Sequence, residues 1–427
     1  MKQLLFAALL VGALGAGATT LYVASDGTGD GSSWESATTF KAALETAASA
    51  EEPVELRVKQ GQYIVAEKIA VTVSQPLAIL GGYTGEDETT QGGVTSFDAN
   101  FAALTGILDV TAKGGLTLEN CQFLNCRPTD APYSAVSLTG AAGVDLSISN
   151  CAFSGNQRIN SGLNDGKGSM RGLMVQTFQK ATITDSDFLC NGLVQSASSG
   201  VNNHVMKDWG ARGLGLCVNN APCELTRCRI AGNKFQCHCS NGSALAICGS
   251  SGGSVLRNCA IVGNLGVRSD ADAGKNWPGI CAFEINLANA NDKFTLENCT
   301  LAYNSNLEYT CPAGLGVYKG TGTIRNSIFY ANIAAGSASE ANKQPADVWA
   351  QTGAAVEMSY CWTVGTGTEF VSANVVQDHS LTGEDPGFVS TLVDYNAVQN
   401  LNVTKLPYST QTSPNFKTSA EDAVKAT

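Results

Sequence analysis

A short pattern that recurs eight times along the chain predicts an all-β fold, a single-stranded right-handed parallel β-helix (solenoid) with an N-terminal helical cap. Each copy holds two apolar stretches around one bend, and the pentapeptide TLENC stands both at 117–121 and at 295–299. A third apolar stretch follows in most intervals, and successive copies lie 28 to 42 residues apart. Three short strands per interval, stacked on one another, bury an apolar face that a single repeat leaves exposed.

Residues 1–18 have the composition of a signal peptide. One early Lys precedes an apolar run of about a dozen residues, shorter than the ~20 that a membrane span needs. The run closes with Ala16-Gly17-Ala18, a small-x-small cleavage pattern. We therefore expect a secreted protein, extracellular or at the cell surface, with no membrane span after signal removal.

Residues 19–110 are predicted to form the N-terminal cap and the first coils. A helix is expected at 35–48, where apolar residues stand at helical spacing: Phe40, Ala43, Leu44 and Ala47. This helix would cover one open end of the β-helix core, where strand edges are otherwise unpaired.

Residues 111–365 are predicted to form the regular rungs. One position of the pattern is Cys or Ser in every copy: Cys121, Cys151, Ser186, Cys228, Cys259, Cys299, Ser327 and Cys361. Apolar residues alternate with period two on either side of a one-residue slip, which predicts two strands joined by a one-residue corner. The corner is usually Asn, which tolerates the left-handed conformation. Asn also recurs five residues after the Cys/Ser position: Asn156, Asn191, Asn233, Asn264, Asn304 and Asn332.

Third strands are predicted in the intervals, at 135–138, 172–175, 213–216, 244–247, 279–283 and 314–317. With three strands per turn, the Cys/Ser positions of successive rungs form an inward-facing stack. Side chains in such a stack point the same way, which disfavours disulfides and predicts buried thiols. Outside the stack, Cys237, His238 and Cys239 form a loop element for which a disulfide, to Cys311 for example, free thiols and a zinc site are alternatives.

The repeats T-I-x-N-C-x-F-x-x-N, followed by G-[LI]-x-[VL], resemble bacterial secreted β-helix proteins of the pectin-lyase-like superfamily. They are also similar to the repeats of chlamydial polymorphic outer-membrane proteins. The opening LYVASDGTGDGSSWESATTF resembles the capping segment of such proteins, while EDPGFVS and TSPNF resemble their closing segment, here within 366–427. The resemblance implies the fold and leaves the activity open, because the superfamily includes lyases, hydrolases and non-catalytic adhesins.

Charged residues on the outward strands favour ion pairs between rungs. Asp185 and Asp187 stand opposite Arg227 and Arg229 on the next rung. The alternative is that the two carboxylates act as acid and base.

Insertions of variable length all follow the Asn position and precede the third strand, at 157–171, 192–212, 234–243, 265–279, 305–314 and 333–347. Insertions at one position of a repeat lie on one side of a solenoid, which is commonly the binding side. Aromatic faces suit sugar rings, and Arg suits a carboxylate or sulfate. The predicted ligand-binding residues are Arg171, Trp209, Arg212, Lys275 and Trp277. The alternative is that both tryptophans only pin their loops to the rungs beneath.

The same residue types leave a catalytic interpretation open. A uronide lyase needs a base of lowered pKa and often calcium to neutralise the substrate carboxylate. The candidate bases are Arg171, Arg212 and Lys207, and the candidate calcium ligands are Asp270 and Asp272. A galacturonan-type hydrolase is not expected, because the sequence has no Asn-Thr-Asp, Asp-Asp, Gly-His-Gly or Arg-Ile-Lys element on any rung.

The predicted function is therefore a secreted or cell-surface module that binds a polysaccharide or cell-surface glycan without catalysis. A polysaccharide lyase that acts on acidic glycans by β-elimination is the alternative, and a spacer or assembly protein is a third possibility. The formal net charge of −11 argues against a nucleic-acid or anionic-lipid partner.

Overall fold

The computed structural model describes residues 17–128, 133–160, 170–195, 212–237, 242–268, 280–306, 312–334, 347–364, 371–383 and 386. Within these residues the chain forms one helix and three long sheets of 12, 15 and 11 strands, numbered in chain order. No helix in this described part has the length and apolar character needed to cross a membrane.

The first sheet contains β1 (Thr19–Val23), β2 (Val54–Lys59), β5 (Leu77–Tyr83), β8 (Leu116–Glu119), β11 (Asp145–Ser149), β15 (Lys180–Thr184), β19 (Cys223–Thr226), β23 (Ser254–Arg257), β27 (Lys293–Glu297), β31 (Thr321–Arg325), β35 (Ala355–Ser359) and β37 (Val375–Asp378). The second contains β3 (Gly61–Ile64), β6 (Thr95–Asp98), β9 (Cys121–Leu124), β12 (Ala152–Ser154), β16 (Asp187–Leu189), β20 (Arg229–Ala231), β24 (Ala260–Val262), β28 (Thr300–Ala302), β32 (Ile328–Tyr330), β36 (Trp362–Thr363) and β38 (Leu381–Thr382).

The third sheet has two columns of strands. One column contains β4 (Ile69–Val73), β7 (Leu108–Ala112), β10 (Tyr133–Thr139), β14 (Met170–Gln176), β18 (Leu216–Asn219), β22 (Gly242–Cys248), β26 (Ile280–Asn286), β30 (Leu315–Lys319) and β34 (Val348–Ala350). The other contains β13 (Gln157–Asn160), β17 (Gly192–Gln195), β21 (Lys234–Cys237), β25 (Leu265–Arg268), β29 (Ser305–Asn306) and β33 (Ile333–Ala334). The ladders of all three sheets run parallel, apart from the single pair Met170↔Gly192. The protein is a right-handed parallel β-helix, as predicted.

The one-residue corner between the first and second sheets is confirmed by its backbone conformation. The corner residues all have φ between +49° and +56°: Asn120, Asn150, Asp185, Arg227, Asn258, Asn298, Asn326, Tyr360 and His379. Asn dominates because this left-handed region is costly for most other side chains.

A second left-handed corner, which the sequence pattern did not reveal, follows the second sheet. Its residues have φ between +49° and +66°: Asn125, Gly155, Cys190, Gly232, Gly263, Tyr303 and Ala331. This corner turns the chain into the short strands β13, β17, β21, β25, β29 and β33, so each complete rung has four strand segments rather than three.

The third strands are confirmed in position, with one shift. The strand predicted at 213–216 is observed as β18, three residues later. Gly213 has φ +61°, so extended conformation begins only after it. The other five overlap their predicted ranges.

The core contains the predicted inward stack. The ladder cysteines Cys121, Cys151, Cys228, Cys259, Cys299 and Cys361 are buried and carry free thiols. Beside them Phe97, Phe123, Phe153 and Phe188 stack with ring centroids 5.2 to 5.4 Å apart. Burial raises the pKa of the Cys223 thiol, on an adjacent strand, to about 12, as expected for a thiol that behaves as an apolar side chain.

The N-terminal helix α1 (Phe40–Ser49) begins five residues later than predicted. Thr39 is its N-cap and accepts a hydrogen bond from the Ala42 N–H at 3.2 Å. The preceding residues pair instead with β1, where the Thr38 N–H donates to Tyr22 O at 2.9 Å. The predicted apolar face is confirmed as buried, and Phe40 lies 4.2 Å from Phe97 between ring centroids.

Phe294 occupies the space that Gly322 leaves on the next rung. The two residues are paired across β27 and β31, and a Cβ on Gly322 would lie 1.9 Å from the Phe294 ring. We expect Gly322→Ala to lower the free energy of unfolding by about 2 kcal/mol, because the buried ring has no room to move. Adding Phe294→Leu is expected to recover part of this loss, as measured by chemical denaturation. Additive effects of the two substitutions would contradict the proposed steric coupling.

Candidate functional site

The insertions all attach to one side of the solenoid, which we call the insertion side. Each leaves a strand of the column β13, β17, β21, β25, β29 and β33, and each returns to the neighbouring column of the third sheet. Six of the predicted site residues lie outside the described residues: Lys207, Trp209, Asp270, Asp272, Lys275 and Trp277. Their ligand-binding, catalytic and calcium-binding roles therefore stay predictions, as do the alternatives for His238, Cys239 and Cys311.

The structure brings together the two predicted arginines that it describes. Arg171 lies in β14, and Arg212 stands just before β18 on the next rung. The Arg171 Nε donates a hydrogen bond to the Arg212 carbonyl oxygen at 2.9 Å. Both residues therefore lie at the base of the insertion side, at the points where two insertions return to the sheet.

Arg212 is paired with a buried carboxylate, Glu284, which lies in β26 two rungs further on. The Arg212 Nε lies 3.1 Å from Glu284 Oε1, and the Arg212 side chain is 28% exposed while that of Glu284 is 0% exposed. Ser243 donates to Glu284 Oε2 at 3.5 Å. The Cys248 thiol lies 4.0 Å from Glu284 Oε1.

The electrostatics of this pair work against a role for Arg212 as a base. Burial alone lowers the pKa of Arg212, but the nearby Glu284 carboxyl raises it, and the net shift is upward. Burial raises the pKa of Glu284 to about 7, although Arg212 and the Ser243 hydroxyl lower it. A catalytic base needs the opposite shift at the arginine, because only a deprotonated guanidine accepts a proton.

Lys234, at the start of β21, is a residue that the sequence interpretation missed. Burial lowers its pKa to about 8. It pairs with Gly192 and Leu265 on the neighbouring rungs, so it lies on the insertion side. An amine of lowered pKa on this side is the type of base that β-elimination requires.

The outward charges of the first two sheets form ion pairs between rungs, as predicted. Arg227 donates to both carboxylate oxygens of Asp185 at 2.6 and 2.7 Å. Arg229 pairs in the same way with Asp187. Because each carboxylate is held by its own guanidinium, the alternative that the two act together as acid and base loses its support.

A third set of charges lies on the first sheet. Arg257 contacts Glu297 at 3.2 Å and Glu224 at 3.1 Å. Glu224 in turn contacts Lys180 at 2.8 Å. These side chains are 33 to 51% exposed, so the network stabilises the fold only modestly.

Among the described residues, no group of three or more His, Cys, Asp or Glu side chains is arranged to hold a metal ion. The residues that a calcium ion would use at the insertion side, Asp270 and Asp272, are not among them.

Comparison with known proteins gives matches only among solved structures. No protein-family model and no curated protein matches the chain. A crystal structure of pectate lyase Pel9A is similar with a TM-score of 0.44 and 14% identity, over 90% of this chain and 86% of that one. A rhamnogalacturonan lyase is similar with a TM-score of 0.41 and 12% identity, over 95% of this chain and 97% of the other. The fold of this chain is established by its own three sheets, and its activity is not addressed by either likeness.

Proposed function

We propose that the protein is an exported β-helix module that binds a polysaccharide or cell-surface glycan through its insertion side without catalysis. The observation that carries the proposal is the attachment of all six insertions to one column of strands, with Arg171 and Arg212 at their base. A rigid solenoid that collects its variable segments on one side presents them as a single surface.

Three features support binding rather than catalysis. Arg212 has a raised pKa and a carboxylate partner, so it stays protonated and does not serve as a base. Asp185 and Asp187 are each held in an ion pair away from the insertion side. Trp209 and Trp277, the predicted sugar-stacking residues, belong to two insertions of this same side.

The test is affinity electrophoresis of the purified protein in gels that contain neutral, uronic-acid and sulfated polysaccharides. We expect retarded migration in at least one acidic gel, and a roughly tenfold weaker affinity for Arg171→Ala, since a charge-assisted contact is worth about 1.4 kcal/mol. Arg227→Ala is the matched control, because it removes an arginine from the opposite, first-sheet corner. Equal retardation of both variants would show that binding is not on the insertion side.

A polysaccharide lyase is the second candidate, and Lys234 is the observation that favours it. In this interpretation, Lys234 removes the proton next to the uronic acid carboxyl group while Arg171 neutralises that group, and the bond to the leaving sugar breaks. The product carries a carbon–carbon double bond that absorbs in the ultraviolet. Release of this chromophore from an acidic polysaccharide, with or without calcium, and its loss in Lys234→Gln would replace the binding proposal by a lyase.

A further inference from the structure

The contact between Arg212 and Glu284 spans three strands through a gap that small side chains leave open. On the outer face of the third sheet, Cys217, Ala246, Glu284 and Gly316 occupy successive rungs at one register position. Ala246 lies in β22, between β18, which follows Arg212, and β26, which contains Glu284. Its side chain is fully buried. On the far side, a Cβ added to Gly316 would lie 2.9 Å from the Cys281 thiol, so that position is also kept small.

Within the described residues, the Glu284 carboxyl has no strong hydrogen bond to hold it in its ionised form. The Arg212 Nε is 3.1 Å away but lacks the alignment of a hydrogen bond. The Ser243 hydroxyl at 3.5 Å and the Cys248 thiol at 4.0 Å are at the limit of such contacts. A fully buried carboxylate with such loose contacts is costly to ionise, so its charge is poised to change.

We propose that Glu284 controls anion binding on the insertion side: when ionised it occupies Arg212, and when protonated it releases the guanidinium to a carboxylate or sulfate group of an acidic glycan. This inference rests on the proposed function and adds a specificity-determining residue to it. Glu284 has no contact with the ligand in this scheme, and it acts only through the charge that Arg212 has to offer.

Among the described groups around the Arg212–Glu284 pair, Glu284 is the one whose charge changes near neutral pH. Ser243 and Cys248 face it from β22, Cys217 lies on β18, and Tyr318 on β30 is near Arg212. Burial raises the pKa of both Cys217 and Cys248, so these thiols stay neutral. Arg171, on β14, is a further charged group on this side and lies near Cys217.

The expected direction follows from the raised pKa of Glu284, which is about 7. Below this value the carboxyl is protonated, and the charge of Arg212 is available to an anion. Above it the carboxylate neutralises Arg212, so binding of an anionic glycan weakens as the pH rises through about 7.

The first measurement is binding of dextran sulfate, whose charge does not change in this range, at about pH 5.5 and about pH 8.5 and constant ionic strength. We expect a roughly tenfold loss of affinity at the higher pH, equivalent to one charge-assisted contact. Glu284→Gln is expected to bind at both values as tightly as the unaltered protein binds at the lower one. Asp187→Asn is the control, because it removes a carboxylate that pairs with an arginine on another sheet. The same gain of affinity in both variants would reduce the effect to net charge and overturn the proposal.

The second measurement needs no glycan and follows modification of Arg212 by phenylglyoxal, with peptide mass spectrometry as the readout. Arg229 is the internal reference, because its side chain is 30% exposed against 28% for Arg212, and it also pairs with a carboxylate. We expect the ratio of Arg212 to Arg229 modification to be higher at the lower pH, and to be high at both pH values in Glu284→Gln.

The two measurements separate failure of this inference from failure of the proposed function. An unchanged modification ratio would refute the release of Arg212, whatever the protein binds. A changed ratio without binding of any acidic polysaccharide would refute the proposed function, and with it the acidic glycan as the occupant of Arg212. The pH series on the unaltered protein decides the matter even if Glu284→Gln does not fold.

Discussion

Replacing Asn233 with Ala is expected to lower the free energy of unfolding by roughly 4 kcal/mol, because four buried hydrogen bonds depend on this one side chain. Its Oδ1 accepts from the Asn191 backbone N–H at 3.0 Å and from Asn191 Nδ2 at 3.1 Å. Its Nδ2 donates to Phe188 O at 2.9 Å and to Asn264 Oδ1 at 3.0 Å. Asn233 is fully buried, so water does not replace these partners without a rearrangement.

The same pattern repeats along what we call the amide ladder: Asn156, Asn191, Asn233, Asn264, Asn304 and Asn332. Each amide donates toward the next rung and to a carbonyl of the preceding one, so the dipoles align along the solenoid and strengthen one another. A substitution in the middle of the amide ladder leaves unpaired polar groups on both neighbouring rungs. A substitution at the end of the ladder leaves fewer.

The control for Asn233→Ala is Asn298→Gly, at an exposed first-corner position with φ +54°. Glycine accepts this conformation, so we expect a change below about 1 kcal/mol. Chemical denaturation followed by far-ultraviolet circular dichroism measures both. If Asn233→Ala were no less stable than the control, the amide ladder would not be a main source of stability.

The parts of the fold that the sequence predicts are those built from one residue type at a fixed spacing. The inward thiols and the first corner recur as Cys or Ser and mostly as Asn, so the pattern shows them directly. The second corner is occupied by Asn, Gly, Cys, Tyr and Ala. Gly holds only three of these seven positions and no type dominates, so the left-handed conformation of this corner became visible only in the structure.

The candidate site is predicted less completely. The stacking of rungs brings together residues that do not occupy equivalent positions in the repeat. Arg171 and Arg212 were found because each ends an insertion, immediately before a predicted third strand. Glu284 was missed, although a single charged residue within the apolar strand ICAFEIN is a usable signal for a buried ion pair. Its pairing with Arg212, two rungs away, depends on how many residues each insertion holds, which no spacing rule predicts.

Asp347 ends the amide ladder and is predicted to make the protein less stable as the pH rises. It lies just before β34 and accepts from Asn332 Nδ2 at 2.9 Å, in the place where a further ladder amide would stand. It stands at the end of the insertion 333–347 rather than at the Asn position of the repeat, which is why the pattern does not reveal it. The residue is 1% exposed, and its Oδ2 has no hydrogen-bond partner among the described residues.

Burial raises the pKa of Asp347 to about 7, although the Asn332 amide and the Val364 backbone lower it. A carboxyl whose pKa is higher in the folded state binds its proton more tightly there than in the unfolded chain. Its contribution to stability is therefore fully present below about pH 4 and is lost as the pH rises through about 7. The loss amounts to at most about 4 kcal/mol, since each unit of pKa difference is worth about 1.4 kcal/mol.

Asp347→Asn keeps an acceptor for Asn332 and removes the ionisation. We expect this variant to be more stable than the unaltered protein at about pH 8, by roughly 2 to 4 kcal/mol, and close to it at about pH 4. Glu284, whose raised pKa acts in the same direction, leaves part of the pH dependence in place, and adding Glu284→Gln should flatten it further. Asp145→Asn, at an exposed position of β11, is the surface control and should leave the pH dependence as it is. Denaturation curves of both proteins at the two pH values measure this difference. If Asp347→Asn and the unaltered protein lost the same stability between them, the amide ladder would tolerate a charged carboxylate at its end. The Asp347 carboxyl would then be solvated rather than buried.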